Sequence, residues 1–300
     1  METATLTRAW TLRLPRQRSL ELGGRPRVMG ILNLTPDSFS DGGLWLDPPR
    51  AVEQGLRMLA DGAEILDLGA ESTRPGGGVY GEGARTVSPE EEAARLLPVL
   101  EALRAATDAP ISVDTRKGEV AARALAAGAD LINDVTALSD PSLGEAVAAA
   151  GCPLVLMHSR GDLATMQRGI HFQDLLGEVR AELGDAVRRA MGLRVAEEQL
   201  VLDPGIGFGK TWEQNLALIR RLDELQTLGR PLLLGASRKS FLARASARPD
   251  TPPERRLGGS LAAVAWAVSQ GAAIVRVHDV AETAQFLDIW YAVERQGADS

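Results

Sequence analysis

Eight short aliphatic runs in this 300-residue chain each stop on side chains able to bind a ligand or carry a proton. In chain order the stops hold Asn33, Asp67, Asp114, Asn133, His158 and Asp203, then Ser237 with Arg238 and Lys239, and Arg276 with His278. Taken singly, any Asp or Asn among them reads as a turn former or a helix cap. Taken together, they would leave buried polar groups that cost about 1–3 kcal/mol each if unpaired, and a bound ligand explains the set better. Lys239 is the one member that could act covalently, as the Schiff-base amine of an aldolase-type barrel.

The elements that would hold these residues are legible in the chain. The stretch Val28 to Gly43 changes from a buried strand to a Thr-, Pro-, Asp-, Ser- and Gly-rich loop at Asn33. At about ten residues this loop exceeds the usual 2–6 of a βα joint, which marks it as a binding loop or lid. The sequence then repeats a unit in which a helix stops at Gly-Ala or Gly-Cys and passes straight into an apolar strand: Asp61-Gly62-Ala63, Ala127-Gly128-Ala129, Ala150-Gly151-Cys152 and Gln270-Gly271-Ala272. Glycine enters a left-handed helix cap without a Cβ penalty, and such short joints imply parallel strands. Strands are expected near 28–33, 64–68, 111–114, 131–134, 154–158, 200–203, 232–236 and 274–278. Helix stripes are expected from Val52, Leu56 and Leu59, from Leu175, Val179 and Leu183, and from Trp212, Leu216 and Ile219. This pattern predicts an α/β chain folded as a (β/α)8 TIM barrel, in which site residues sit at the C-terminal strand ends. An open doubly wound sheet is the rival, but no dinucleotide glycine signature accompanies the strands. Thr11 to Leu14 and Ser19 to Leu22 alternate in period two around a turn. They predict a small N-terminal β-hairpin in residues 1–27 that closes the barrel bottom, with 28–300 as a single barrel domain.

Composition excludes several classes. A net charge of -7 argues against a nucleic-acid binder, while a local basic pocket for a small anion stays open. One cysteine, Cys152, allows no intrachain disulfide and points to a reducing compartment. Neither a signal pattern nor a membrane-length apolar run is visible, so a cytoplasmic protein without a membrane partner is expected.

The strand ends also spell a family. The segments M-G-I-L-N-L-T-P-D-S-F-S-D-G-G (29–43), D-L-G-A-E-S-T-R-P-G (67–76), S-V-D-T-R-K (112–117), I-N-D-V (132–135), L-M-H (156–158), L-D-P-G-I-G-F-G-K (202–210), G-A-S-R-K-S (235–240) and R-V-H (276–278) closely resemble the dihydropteroate synthases. The resemblance runs from about Leu20 to Trp290, and its first and seventh segments are the most specific. It implies condensation of 6-hydroxymethyl-7,8-dihydropterin pyrophosphate with p-aminobenzoate, with Lys239, Arg74 and Asp114 in catalytic roles. It further implies that Asp114, Asn133 and Asp203 read the aminopyrimidinone edge of the pterin, that Lys239 meets its ring carbonyl and nitrogen, and that Met157 and the stem of Arg276 sandwich its faces. Asn33, Thr73, Arg74, Arg276 and His278 would hold the pyrophosphate, with Asn33 as an oxygen ligand to Mg²⁺ and Asp67 and Glu71 in support. Thr35, Pro36, Phe39, Phe208 and Ser237 would surround p-aminobenzoate. A homodimer through outer helices is implied in the same way.

Some signals point elsewhere. Gly207-Phe-Gly-Lys-Thr looks like a nucleotide loop, but the required first glycine falls on Pro204. His171 reads as a surface or capping residue, His158 as structural support, and Cys152 as a core filler. A pterin-binding methyltransferase barrel would share Asp114, Asn133 and Asp203 but has no use for Arg74, Arg276 and His278. A non-catalytic pterin carrier would be expected to lack Asn33 or Lys239.

Overall fold

The computed structural model describes residues 9–35, 47–71, 87–161 and 169–298. Its first strands, β1 (Trp10–Leu14) and β2 (Arg18–Leu22), form an antiparallel hairpin with Leu12 opposite Leu20. Eight parallel strands follow: β3 (Arg27–Asn33), β4 (Ile65–Gly69), β5 (Ile111–Asp114), β6 (Leu131–Asp134), β7 (Leu154–Met157), β8 (Leu200–Asp203), β9 (Leu233–Leu234) and β10 (Ile274–Val277). They pair in the order β8-β7-β6-β5-β4-β3-β10-β9. A parallel bridge between Leu202 and Leu232, beside a 3.0 Å bond from Leu202 N to the Pro231 carbonyl, joins the two ends into the expected barrel.

Between the strands run α1 (Pro48–Ala60), α2 (Pro89–Ala106), α3 (Gly118–Ala126), α4 (Pro141–Ala150), α5 (Leu175–Gly192), α6 (Trp212–Arg220), α7 (Ser240–Arg244) and α8 (Leu257–Ser269), with α9 (Val280–Ala298) last. Their starts follow the sequence. Ser88 accepts from Glu91 N ahead of three glutamates in the first turn of α2, and Thr211 and Gln214 form a reciprocal capping box at α6. The stops at Gly62, Gly128, Gly151 and Gly271 all take positive φ, as the repeated unit predicts.

The pleat sorts each strand into two sides. Val28, Leu32, Leu66, Leu68, Ile132, Leu154, Leu156, Leu200 and Leu202 join the helices in one large core. Met29, Ile65, Leu131, Val155, Val201, Leu233 and Ile274 form a second cluster inside the barrel, and Leu12, Leu14, Leu20 and Leu22 of the hairpin belong to it. The hairpin therefore packs on the interior at the end where the strands begin. A buried ion cluster ties it there: Asp130 receives Arg16 at 2.5 Å, Arg104 at 2.9 Å and also Arg18, while its second oxygen accepts from Ile111 N.

Two helix stripes differ from expectation. In α1 the buried positions are Ala51, Gly55 and Met58, and Leu56 is exposed; a Cβ on Gly55 would lie 3.0 Å from Leu103, so the small residues carry the contact. In α6 the buried residues are Asn215, Leu218 and Ile219, leaving Trp212 and Leu216 exposed. The α5 stripe holds at Val179 and Leu183. No helix among the described residues is long and apolar enough to cross a membrane.

Candidate active site

Because side chains alternate along a strand, residues two positions beyond the interior hydrophobic layer face the same cavity nearer the mouth. From Ile65, Leu131, Val201 and Ile274 that step reaches Asp67, Asn133, Asp203 and Arg276. The inward polar layer at the strand ends is thus a consequence of register, and Asp114 joins it opposite Asn133.

One cluster forms directly. Arg276 Nε donates to Asp67 Oδ2 at 2.6 Å and its terminal nitrogen to Asp114 Oδ2 at 2.8 Å, while Asn133 Nδ2 donates to the same Asp67 oxygen at 3.2 Å. Asp67 is fully buried and Asp114 nearly so. Burial pushes the Asp114 carboxyl up to about 7, with the Arg276 charge opposing and the Asp67 charge reinforcing the shift. Burial lowers the affinity of Arg276 for its proton, yet the facing Asp67 and Asp114 hold it above the ordinary arginine value. Three buried oxygens around this cluster, Asp67 Oδ1, Asp114 Oδ1 and Ser112 Oγ, have no hydrogen-bond partner among the described residues. Polar atoms left this way are costly unless a ligand meets them.

A second group lies across the mouth. Asp203 is buried, its pKa raised by desolvation, and its Oδ1 accepts from Gly205 N at 2.7 Å. Burial pushes the Lys239 ammonium down to about 8, with Asp203 the main opposing charge. Lys239 donates to the Ile206 carbonyl and stands 4.6 Å from the centre of the Phe208 ring. Phe208 packs with Met157 and Val135 in a small apolar cluster of its own.

Lys239 reaches this place through its neighbour. Arg238 has φ 58°, a left-handed conformation that costs a non-glycine residue stability, and it is braced on every side. Its N–H donates to Ser260 Oγ, its carbonyl accepts from Arg256, and its guanidinium pairs with Asp279. Ser237 Oγ lies 3.1 Å from His278 Nδ1 and accepts from His278 N at 3.1 Å, so these two predicted residues meet. Asn33 ends β3, and Thr35 is buried just beyond it. Glu71 stands at the rim, bonded to Arg116 at 3.1 Å, Lys117 at 3.1 Å and Val87 N at 3.2 Å. Pro36, Phe39, Thr73, Arg74 and the glycine-rich stretch from Gly76 lie outside the described residues.

His158 does not face this cavity. Its Nε2 lies 2.9 Å from Glu182 on α5 and its Nδ1 2.9 Å from Lys210, an arrangement of support as expected. His171 is exposed, and Cys152 is buried ahead of β7 with its thiol pushed up to about 12 by burial. Sequence reasoning passed over Lys210 and Asn215, both buried behind the loop after β8. A lysine closing a glycine-rich loop at a strand end was the available signal for Lys210, and it had been set aside together with the nucleotide-loop reading.

The barrel and its mouth have close relatives. A family profile described as "Pterin binding enzyme" matches residues 29–278. The chain is 46% identical over 280 residues to the dihydropteroate synthase of Synechocystis sp., covering 93% of this chain and 94% of that one. The chain belongs to the dihydropteroate synthase family. The Xanthomonas albilineans dihydropteroate synthase solved with 4-aminobenzoic acid superposes with a TM-score of 0.86 at 44% identity, covering 96% of this chain and 99% of that chain. The same organism's dihydropteroate synthase in complex with 7,8-dihydropteroate gives 0.82 at 41% identity, covering 95% and 98%. The eight-stranded barrel is therefore the frame of a dihydropteroate synthase.

Proposed function

We infer that the chain condenses 6-hydroxymethyl-7,8-dihydropterin pyrophosphate with p-aminobenzoate to give 7,8-dihydropteroate and pyrophosphate. The observation that carries the reading is the pairing of the Asp67–Asp114–Arg276–Asn133 cluster with Asp203 and Lys239 in one barrel mouth. A relative holding 4-aminobenzoic acid and another holding 7,8-dihydropteroate support the two halves of the reaction.

In this reading the pterin lies flat across the inward layer. Its amino group and ring N–H donate to Asp203 and to Asp114, whose Oδ1 otherwise stays unsatisfied, while Asn133 serves as both donor and acceptor. Lys239 leaves the Ile206 carbonyl to donate to the ring carbonyl and nitrogen. Met157 covers one face and the stem of Arg276 the other. Arg276 uses two of its donors on Asp67 and Asp114. Those that remain, with His278, Asn33, Thr73 and Arg74, receive the pyrophosphate. Thr35, Pro36, Phe39, Phe208 and Ser237 frame the arylamine.

The bond from the pterin methylene to the pyrophosphate oxygen breaks first. The electron pair leaves with pyrophosphate and a cationic methylene remains conjugated to the ring. The p-aminobenzoate nitrogen then forms the new C–N bond and passes a proton to the released pyrophosphate or to water. Cations and hydrogen-bond donors placed where negative charge grows lower that barrier, and no described side chain is required as a nucleophile.

Mg²⁺ fits this chain only as a passenger of the substrate. Among the described residues no group of three or more His, Cys, Asp or Glu is placed to hold a metal, and the amide of Asn33 is one weak oxygen ligand. That set suits an ion held mainly by phosphate oxygens and water, with Asn33 completing the shell. When bound, Mg²⁺ would draw charge from the departing pyrophosphate.

The same proposal includes a homodimer in the cytoplasm and the hairpin, residues 1–27, as a unit appended to the 28–300 barrel. Trp212 and Leu216 on α6 and Trp266 on α8 turn apolar surface outward, as an outer-helix interface requires. Light scattering of the protein and of a Trp266→Glu variant tests the dimer.

The activity itself is tested by following pyrophosphate release from the purified protein. Release should need both substrates and fall by about a hundredfold or more in Asp114→Ala, which removes a charge-assisted contact. Release from the pterin diphosphate alone, at the rate seen with p-aminobenzoate present, would overturn the reading.

A further inference from the structure

The loop between β8 and α6 is held from two sides by lysines. On the cavity side Lys239 donates to the Ile206 carbonyl. On the far side the Lys210 ammonium, 3% exposed, donates to the Gly205 carbonyl at 3.0 Å and the Phe208 carbonyl at 2.9 Å. Its third contact is His158 Nδ1 at 2.9 Å. Glu182 accepts the proton on the other imidazole nitrogen at 2.9 Å, which leaves Nδ1 with its lone pair toward Lys210. Burial and the Lys210 charge push His158 down to about 4, so the ring stays a neutral acceptor. The Lys210 ammonium, pushed down to about 7 by burial with Asp203 the leading opposing charge, thus ends on neutral acceptors alone.

That arrangement fixes backbone rather than merely filling space. Gly205 N is bonded to Asp203 Oδ1 at 2.7 Å, Phe208 N to the Gly205 carbonyl at 3.1 Å, and Gly207 N to Asn215 Oδ1 at 2.6 Å. A Cβ on Gly205 would fall 1.8 Å from the His158 carbonyl, and one on Gly207 2.9 Å from Lys239 Cδ. The loop is packed between His158, just after β7, and Lys239, with no room for a Cβ at Gly205 or Gly207. What it presents to the cavity is the Phe208 ring.

We propose that Lys210 is a positioning residue for the arylamine substrate: through the Gly205 and Phe208 carbonyls it sets the loop so that Phe208 and Lys239 form the wall against which p-aminobenzoate binds. The proposal rests on the reading above that places p-aminobenzoate beside Phe208. Asp203 touches the same loop through Gly205 N, but its backbone is set by β8, in register with Met157, so removing the ammonium should disturb the pterin site less than the Phe208 wall.

The test measures steady-state kinetics of pyrophosphate release for the wild type, Lys210→Met and His158→Leu, with circular dichroism as a check of folding. Wild-type release that depends on both substrates secures the underlying reading independently of either variant. Lys210→Met should raise the KM for p-aminobenzoate about tenfold or more while the KM for the pterin diphosphate moves less than about threefold. His158→Leu removes one of three acceptors and should shift the same constant in the same direction by a smaller factor. A folded Lys210→Met protein with an unchanged KM for p-aminobenzoate overturns the proposal, as does a parallel rise in both KM values. Should Lys210→Met fail to fold, an unchanged KM for p-aminobenzoate in His158→Leu overturns it.

Discussion

Asp114 and Arg276 stand 162 positions apart in the chain and 2.8 Å apart across the barrel mouth, with Asp67 on the other side of the same guanidinium. One cation therefore separates two buried carboxylates. Replacing Arg276 with Met removes it and leaves like charges facing each other, a loss of about 3–5 kcal/mol in other buried pairs. Asp114 answers by holding its proton more tightly than it does beside Arg276. Urea unfolding of Arg276→Met should show the largest deficit near pH 8 and partial recovery at pH 5, where Asp114 is neutral. Equal stability of variant and wild type at pH 8 would mean that the pair contributes nothing.

In the proposed site Lys239 should give the activity its alkaline limit. Its ammonium is pushed down to about 8 by burial, and the charged form makes the stronger hydrogen bonds to a pterin carbonyl and nitrogen. The kcat/KM for the pterin diphosphate, which reports the free enzyme, should fall as pH rises through about 8. Residual activity of Lys239→Met should lack that limb. A flat profile to pH 9.5 in the wild type would remove Lys239 from ring recognition.

In the proposed site Asn33 is the chain's own ligand to Mg²⁺. An amide oxygen that completes a shell of phosphate and water is weak alone, so Asn33→Ala should fold normally and need about tenfold more Mg²⁺ for half-maximal turnover. Titrating Mg²⁺ at saturating substrates reads this directly, and an unchanged Mg²⁺ requirement would exclude the ligand role.

His158 should make the protein sensitive to acid. Its imidazole titrates near 4 when folded against an ordinary 6.5, so between those values the unfolded chain binds a proton that the folded one does not. Stability present above pH 6.5 is lost as pH falls to 4, by at most about 3 kcal/mol. Asp114, raised to about 7, runs the other way over an overlapping range and gains protons in the folded state as pH falls. The comparison with His158→Gln isolates the imidazole: the stability lead of the wild type should shrink between pH 6.5 and 4. A constant difference across that range would show that His158 titrates normally.

Strand ends were the most legible part of the sequence, for a physical reason. A parallel strand buried on both sides must be aliphatic until its last inward position, so a polar stop such as Asp114 or Asp203 marks both its end and its facing. The strand near 232–236 was read too long because Gly235 to Ser237 leave the ladder to prepare the left-handed Arg238, and no residue type there announces it. Helix faces were less legible. Ranking by hydrophobic size chose Leu56 over Gly55 and Trp212 over Asn215, whereas close packing against Leu103 wants a glycine and the Gly207 amide wants an amide oxygen. Lys210 was missed because, beside the His158 ring, its partners are backbone carbonyls, which carry no signature in sequence.

The hairpin under the barrel has one more consequence, for traffic. With Leu12, Leu14, Leu20 and Leu22 packed into the lower interior and Arg16, Arg18 and Arg104 fastened on Asp130, the chamber is floored where its strands begin, which among the described residues leaves the strand-end mouth as the approach. Both substrates and both products must share it. A pterin resting on Asp114, Asn133 and Asp203 lies inward of Phe208 and Thr35, which stand beyond the strand ends. On the proposed placement the pterin should enter ahead of the arylamine, and pyrophosphate should leave past whatever then occupies the threshold. In that placement a p-aminobenzoate that arrives first would stand in its partner's way, and the shared mouth would make an early-binding aromatic acid an obstruction rather than a waiting reactant.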